Sequence, residues 1–390
     1  MKAGWEVKKL GEVCTVIAGQ SPEGKFYNAS AEGLPFYQGK KEFGEKYIGK
    51  PTTWTTFVTK EAEKDDVLMS VRAPVGPINF STEKMCIGRG LAAIRASNLI
   101  DKDFLFNFLL KHEAEIVGNK GAVFDSINKS QIENILIPTP PIPEQQRIVA
   151  ILDQAFEGIT KARANAEQNL QNARALFESH LHSVFTQRDE GWVRFENALS
   201  DLCELIVDCE HKTAPTQEIG IASIRTPNIG KGELLLDGVY RVSDETYKEW
   251  TRRAEPQSGD LILAREAPAG NLAVIPENTK LCLGQRTVLI RPNTEIFIAE
   301  FLCFYLLQPE MQSKLLAHSR GATVQHVNMK DIRALKIGSL PNLEMQKLIA
   351  TNIKTTKEKS QRLEALYQRK ITLLDELKKS LLQQAFAGEL

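Results

Sequence analysis

The sequence predicts a mixed α/β (α+β) protein made of two copies of one globular domain, each followed by a long helix, with the two helices packed as an antiparallel coiled coil in a pseudo-two-fold arrangement. Three observations carry this. The tetrapeptide APVG at Ala73–Gly76 recurs as APAG at Ala267–Gly270, and the block Phe104–Ala150 returns as Phe301–Ala350. The offset of about 194 to 200 residues makes each copy a whole domain, not a short solenoid unit. Each copy also strings Gly/Pro-rich loops between short β-like runs. Finally, each copy ends at prolines that introduce a long stretch with apolar residues at spacings of three and four.

The elements follow in order. Trp5 to Val16 reads as an amphipathic start, and loops rich in Gly and Pro fill residues 18–51. DVLMSVRAP, GPINFS and MCIGRGLAAIRA read as β-like runs, and Phe104, Leu105, Phe108 and Leu109 mark a helix over about 103–116. The first domain is assigned to residues 1–142. A helix follows over 143–187, where Pro143 suits the first turn and Glu144 complements the helix dipole. Ile148, Ile151, Leu152, Ala155, Phe156 and Ile159 form a stripe that Leu170, Ala173, Leu176, Phe177, Leu181 and Phe185 continue. At 1.5 Å per residue, roughly 40 residues span about 60 Å, so the helix needs a partner. The second domain, 188–341, opens with Gly191-Trp192 as the first does with Gly4-Trp5. The second long helix occupies 342–390, with Asn342 as its N-cap and Leu363, Leu366, Ile371, Leu374, Leu377 and Leu381 as its stripe. Pairing of the two helices places the domains at opposite ends of a rod; the alternative is that each helix folds back on its own domain.

Composition bounds the partners. The chain has 390 residues, zero formal net charge and 25% charged residues. Domain one carries a charge of about +1 (residues 1–149) and domain two about −4 (188–345), so any nucleic-acid contact must come from local clustering. The N-terminal stretch lacks a signal-like apolar core, and no run reaches membrane-spanning length. The six cysteines form no Cys-x-x-Cys or Cys/His spacing. The expectation is a cytoplasmic protein with no bound metal and no membrane contact.

The junctions PPIPEQQRIVAILD and LPNLEMQKLIA, and the closing segments GAVFDSINKSQIENILIPTPP and GATVQHVNMKDIRALKIGSLP, resemble those of specificity subunits of type I restriction–modification systems. LIVDCEHKTAPT at 205–216 and GLPFYQGKKEFG at 33–44 resemble loops of their target-recognition domains. The resemblance extends over the whole chain; in the second junction Met345 stands in place of the Gln of the usual Glu-Gln pair. It implies a non-catalytic subunit that recognises a bipartite, gapped target in double-stranded DNA, one half-site per domain. It further implies two modification subunits that methylate adenine with S-adenosylmethionine, and two restriction subunits that use ATP and Mg²⁺. The specificity subunit of a related type II system has a similar layout and stays open.

Catalytic motifs are missing. There is no cofactor loop with an Asn/Asp-Pro-Pro-aromatic base-flipping loop and no phosphate-binding Gly-x-x-x-x-Gly-Lys-Ser/Thr; GQSPEGK at 19–25 has the wrong spacing. Asp208, Glu210 and Lys212 imitate a nuclease metal site, and Asp201 could serve as its upstream acid, but DLCELIVD is too short to supply the usual core, and a DNA-facing loop or a structural turn is the plainer reading. An enzyme with a cryptic nuclease or methyltransferase site, and a purely structural scaffold, remain the alternatives.

Base edges are read by Arg or Lys on guanine and by Asn or Gln on adenine. In domain one the DNA-contact candidates are Gln38, Lys40 and Lys41, between Tyr37 and Phe43, with Arg72 and Arg89, whose plainer reading is a charge at a strand end. In domain two they are His211, Lys212, Thr213, Arg225, Asn228 and, close by, Lys231. Ser126, Asn128 and Lys129 match His326, Asn328 and Lys330 between copies. A role shared by both copies cannot be sequence-specific if the half-sites differ, so phosphate contact is expected there, with helix capping as the other reading. His112, His180, His182 and His318 read as helix residues, and Trp5 and Trp192 as packing anchors.

Overall fold

Trp5 and the residues after it begin not one amphipathic element but three: a strand Glu6–Lys9, a helical turn Leu10–Val13 and a strand Cys14–Ala18. The computed structural model describes residues 4–118, 126–187, 191–317 and 325–390. The chain forms two compact units, Met1–Glu167 with Gln368–Leu390, and Gln168–Tyr367.

In the first unit a four-stranded antiparallel sheet has the order Cys14–Ala18, Leu91–Ala96, Val67–Ser70, Ile78–Phe80. In the second unit the order Cys203–Asp208, Thr287–Pro292, Leu261–Ala264, Leu272–Val274 repeats it. A second sheet in each unit is built around one parallel pair: Leu34–Tyr37 with Met85–Ile87, and Ile221–Ile224 with Leu281–Leu283. A short antiparallel pair brings the start and end of each domain together, Glu6–Lys9 with Leu136–Thr139 and Val193–Arg194 with Ser339–Leu340. The Ala73–Pro74 and Ala267–Pro268 bonds of the repeated tetrapeptide are both cis. The run MCIGRGLAAIRA is two strands in two sheets, broken at Gly88–Gly90.

The helix expected over 103–116 spans Lys102–Gly118, and the long helices span Ile142–Thr186 and Leu343–Ala387. The final helix is capped by Asn342, whose side chain accepts from the Met345 amide at 2.9 Å. Within the first unit the helices run antiparallel: Lys378 lies over the Phe156 ring, and Arg163 meets Asp375. Within the second unit the two helices also touch, with Arg174 near Glu364 (3.4 Å) and the Ser360 hydroxyl donating to the Ala173 carbonyl (2.5 Å).

Each core closes over its helices. In the first, Phe104 and Phe108 pack edge-on against Phe386, with Ile148, Leu152 and Leu382 alongside. In the second, Phe185 packs edge-on against Trp192, Phe301 and Tyr305. Trp5 and Trp192 are therefore packing residues at the domain starts. Burial pushes the thiols of Cys14, Cys203, Cys282 and Cys303 up to about 12, which keeps them protonated and unreactive near neutrality.

The departure assigned to Met345 is corrected by the structure. Gln145 is fully buried in the first turn of its helix; it accepts from the Asp101 amide (2.7 Å) and donates to the Pro140 and Leu99 carbonyls (2.8 and 3.2 Å). The residue with the same three bonds in the second unit is Gln346, to the Ile298 amide and the Pro341 and Ile296 carbonyls (2.9, 3.0 and 2.9 Å). The second junction is one residue longer, so letter-by-letter matching misaligns the helix starts. Met345 corresponds to Glu144, and its side chain is exposed.

Candidate nucleic-acid interface

The same ladder of backbone hydrogen bonds ties the loops together at one edge of each unit. In the first unit the Gly88 amide donates to the Tyr37 carbonyl (2.8 Å), Gly90 to Gln38 (3.1 Å), Val71 to Gly90 (3.0 Å) and Ile127 to Val71 (3.0 Å). In the second, Gly284 donates to Ile224 (2.7 Å), Arg265 to Arg286 (2.9 Å) and Val327 to Arg265 (2.9 Å). The bridges Arg72–Ser126 and Glu266–His326 complete the two frames. Gln38 thus corresponds to Arg225, Arg89 to Gln285, Arg72 to Glu266, and Ser126 to His326.

In the first unit the frame gathers Gln38, Arg72, Arg89 and Ser126 on an exposed surface. Lys40 and Lys41 sit in a helical turn just beyond Gln38. The Lys40 charge also acts on Glu113, whose carboxyl burial raises while Lys40 pulls it back. Ser21 joins this group: its hydroxyl donates to Gln38 Oε1 (3.0 Å) and accepts from the Arg89 amide (3.3 Å). It lies in GQSPEGK, whose sequence suggests nothing beyond a phosphate loop of the wrong spacing.

In the second unit Arg225 is exposed and stacks on the Tyr240 ring at 4.0 Å. Asn228 is occupied in holding this turn: its side chain accepts from the Arg225 amide (3.1 Å) and donates to the Leu235 carbonyl (3.2 Å). His211, Lys212 and Thr213 are exposed on the neighbouring loop. Lys231 does not join them; its ammonium pairs with Glu178 of the long helix, because the chain turns toward that helix after Ile229. His326 stands in a charged relay that sequence reasoning missed. Asp208 binds Arg265 (3.0 Å) and His211 (3.1 Å), Arg265 Nη2 meets His326 Nε2 (3.0 Å), and Glu266 links His326 Nδ1 (2.9 Å) to Arg286 (2.9 Å). A guanidinium only donates, so Nε2 of His326 is the acceptor and Nδ1 carries the proton to Glu266. His211, Arg265, Glu266, Gln285, Arg286 and His326 line a cavity of about 230 Å³.

The nuclease-like acids are committed elsewhere. Asp208 is held by Arg265, and Glu210 faces Arg252 and Arg253 at 3.4 and 3.6 Å. Among the described residues no group of three or more His, Cys, Asp or Glu is placed to hold a metal ion, and no helix is long and apolar enough to cross a membrane.

Asn128 caps the helix Lys129–Glu133 by accepting from the Gln131 amide (2.9 Å), and Lys129 lies 3.5 Å from Glu133. Asn328 precedes the matching helix Met329–Ala334 and bonds Asp331 (3.2 Å), while Lys330 is exposed. Capping therefore occupies Asn128, and the lysines remain at the surface. His112, His180 and His182 lie in helices; His318 is outside the described residues.

The model of the type I restriction modification DNA specificity domain matches residues 2–168 and 191–373. The chain is 40% identical to a putative MjaX specificity subunit of Methanocaldococcus jannaschii over 44% of its own length and 40% of that protein's. It is 23% identical to the EcoBI specificity subunit of Escherichia coli over 74% of its length and 66% of the relative's, and 25% identical to the MjaVIII subunit of M. jannaschii over 90% and 85%. The chain thus spans under two thirds of the length of the MjaX and EcoBI proteins. In fold it is similar to a chain solved for complex assembly and conformational transition of the type I R-M system (TM-score 0.78, 20% identity, 100% of this chain and 99% of that one). It is similar also to the HsdS subunit of Thermoanaerobacter tengcongensis (TM-score 0.63, 20% identity, 100% and 98%).

Proposed function

Because the chain belongs to the type I restriction modification DNA specificity family, we propose that it is the subunit that selects the DNA target, each unit reading one half of a bipartite, gapped sequence. The observation that carries this reading is the repeated loop frame. Two units with the same four-stranded sheet order present equivalent edges furnished with different polar side chains, Gln38, Arg72 and Arg89 in one, Arg225, Glu266 and Gln285 at the matching positions in the other. Equivalent frames with unlike readers suit two unlike half-sites.

Modification subunits supply adenine methylation with S-adenosylmethionine, and restriction subunits supply ATP- and Mg²⁺-dependent cleavage; two of each complete the assembly in this reading. Exposed leucines on the long helices offer a surface to such partners: Leu348 in the second unit and Leu373 in the first, together with Leu363, Leu366 and Leu377, which the sequence pattern assigns to the helix–helix stripe but which stand exposed.

The test is to co-express the chain with its modification subunit in a methylation-free host and map modified adenines by long-read sequencing. One gapped motif with a modified adenine in each half is expected. An assembled complex that yields no motif overturns the reading. In the same assay Gln38→Ala and Arg225→Ala should each relax one half-site and leave the other intact; a uniform loss at both halves would contradict the division of labour.

We propose further that Lys129 in the first unit and Lys330 in the second, both exposed, contact phosphates. Their joint replacement by Ala should weaken binding to every sequence alike. It should also reduce the slope of log affinity against log salt by up to about two, roughly one for each phosphate no longer neutralised. A titration with an unchanged slope removes them from the interface.

A further inference from the structure

We propose that each unit reads its half-site through one amide and one guanidinium at two fixed positions of the shared frame, and that the two units hold them in exchanged order. The first position is occupied by Gln38 in the first unit and Arg225 in the second; the next position is Arg89 in the first and Gln285 in the second. The proposal rests on the DNA-selecting role argued above and names the residues and the bases.

The equivalence comes from the backbone. Gln38 and Arg225 each follow the last residue of a strand that runs parallel to the one ending just before Gly88 or Gly284. In each unit that glycine's amide donates to the strand's final carbonyl, of Tyr37 or Ile224. Both glycines are needed for the approach. A Cβ on Gly88 would lie 3.0 Å from Gln38 Cα, and one on Gly284 would lie 2.6 Å from Arg225 Cγ. The residue after each glycine, Arg89 or Gln285, is therefore held close beside the first reader.

The side chains are prepared for base edges. Gln38 accepts from Ser21, and Gln285 donates to the His211 carbonyl at 3.2 Å. Each amide is thereby oriented, yet keeps a lone pair and a hydrogen for the N6/N7 edge of adenine. The Arg225 guanidinium lies over the Tyr240 ring, a contact that holds its fork for O6 and N7 of guanine, and Arg89 is exposed. A phosphate-binding role would call for cations at both equivalent positions; a neutral amide facing a guanidinium across the repeat fits base reading instead.

The experiment uses the complex with the modification subunit and compares methylation motifs of the natural chain, Arg89→Gln and Gln285→Arg. Arg89→Gln should turn one guanine of the first half-site toward adenine, and Gln285→Arg one adenine of the second half-site toward guanine. Each should change preference at that base roughly ten- to hundredfold and leave the other half unaltered. Gln285→Ala, which introduces no new charge, should lose discrimination at the same base. Size-exclusion chromatography of each complex separates lost assembly from lost reading. If the natural chain gives a gapped motif and the assembled variants keep it at every position, the exchanged pair is wrong while the specificity role stands. If the natural assembled complex gives no motif, the role itself fails and the proposal with it.

Discussion

Asp260→Ala is expected to lower the unfolding temperature of the second unit by roughly 6–12 °C in calorimetry, the largest single effect we anticipate. Its carboxylate is 2% exposed and receives Nε and Nη2 of Arg291, both at 2.8 Å, as well as the Gln257 amide at 2.9 Å. The Arg291 side chain is only 17% exposed, so deleting the acid strands a guanidinium with little water to replace it. Breaking such a pair costs about 3 kcal/mol, more than the pair itself contributes to stability. The first unit repeats the clamp: Asp66 takes Arg95 at 2.9 and 2.7 Å and the Glu63 amide at 2.8 Å. There the arginine side chain is 39% exposed and can rehydrate. Asp66→Ala should therefore shift its unit by clearly less than Asp260→Ala does. Equal shifts, or a loss under 2 °C at Asp260, would contradict this ranking by solvent access.

The second large effect is expected at the helix entrances. Gln346→Leu keeps the volume but deprives the Ile298 amide and the Pro341 and Ile296 carbonyls of their partner. Unmet buried groups cost about 1–3 kcal/mol each; the half-buried Ile296 and Ile298 recover part through water, so a total of about 3 kcal/mol is expected. Gln346→Glu retains the acceptor for Ile298 but turns an anionic oxygen on two carbonyls, and should not rescue. Gln145→Leu should do to the first unit what Gln346→Leu does to the second. Urea unfolding followed by circular dichroism reads all three, and a Glu variant as stable as the natural chain would refute the assigned bonding.

Much of this fold was legible before any coordinates. The repeat pointed to two copies of one domain, which share a four-stranded sheet order though their second sheets have five and three strands, and the proline-flanked stripes placed the long helices to within a few residues, since 3.6-residue periodicity persists over many turns. Short strands were harder. In MCIGRGLAAIRA the glycines separate two strands of different sheets, and local pattern does not reveal which sheet a strand joins. The Met345 reading failed because a one-residue insertion is invisible when two neighbouring glutamines can each be aligned.

The site was legible in part. Gln38 and Arg89 were among the candidates, and the backbone ladder of the first unit brings them together; Arg225 holds the position equivalent to Gln38 in the second. Asn128 and Asn228 proved to be holding turns, a use that the same side-chain chemistry permits. The relay through Asp208, Arg265, Glu266, Arg286 and His326 was missed because its members lie far apart along the chain, and each alone resembles a strand-end charge.

The loop frame of each unit is fastened mainly through its backbone. Backbone amides and the close approach of Gly88 and Gly284 set its geometry, whereas the side chains of Gln38, Arg89 and Arg225 are exposed. Substitution at those three positions should fall within the small range usual for surface changes, about ±0.5 kcal/mol. On the proposed reading, selection can thus alter what the molecule discriminates without first spending its foldability. New preferences can arise by single steps in one half while the other is inherited unchanged, a route by which lineages diversify quickly from a common scaffold.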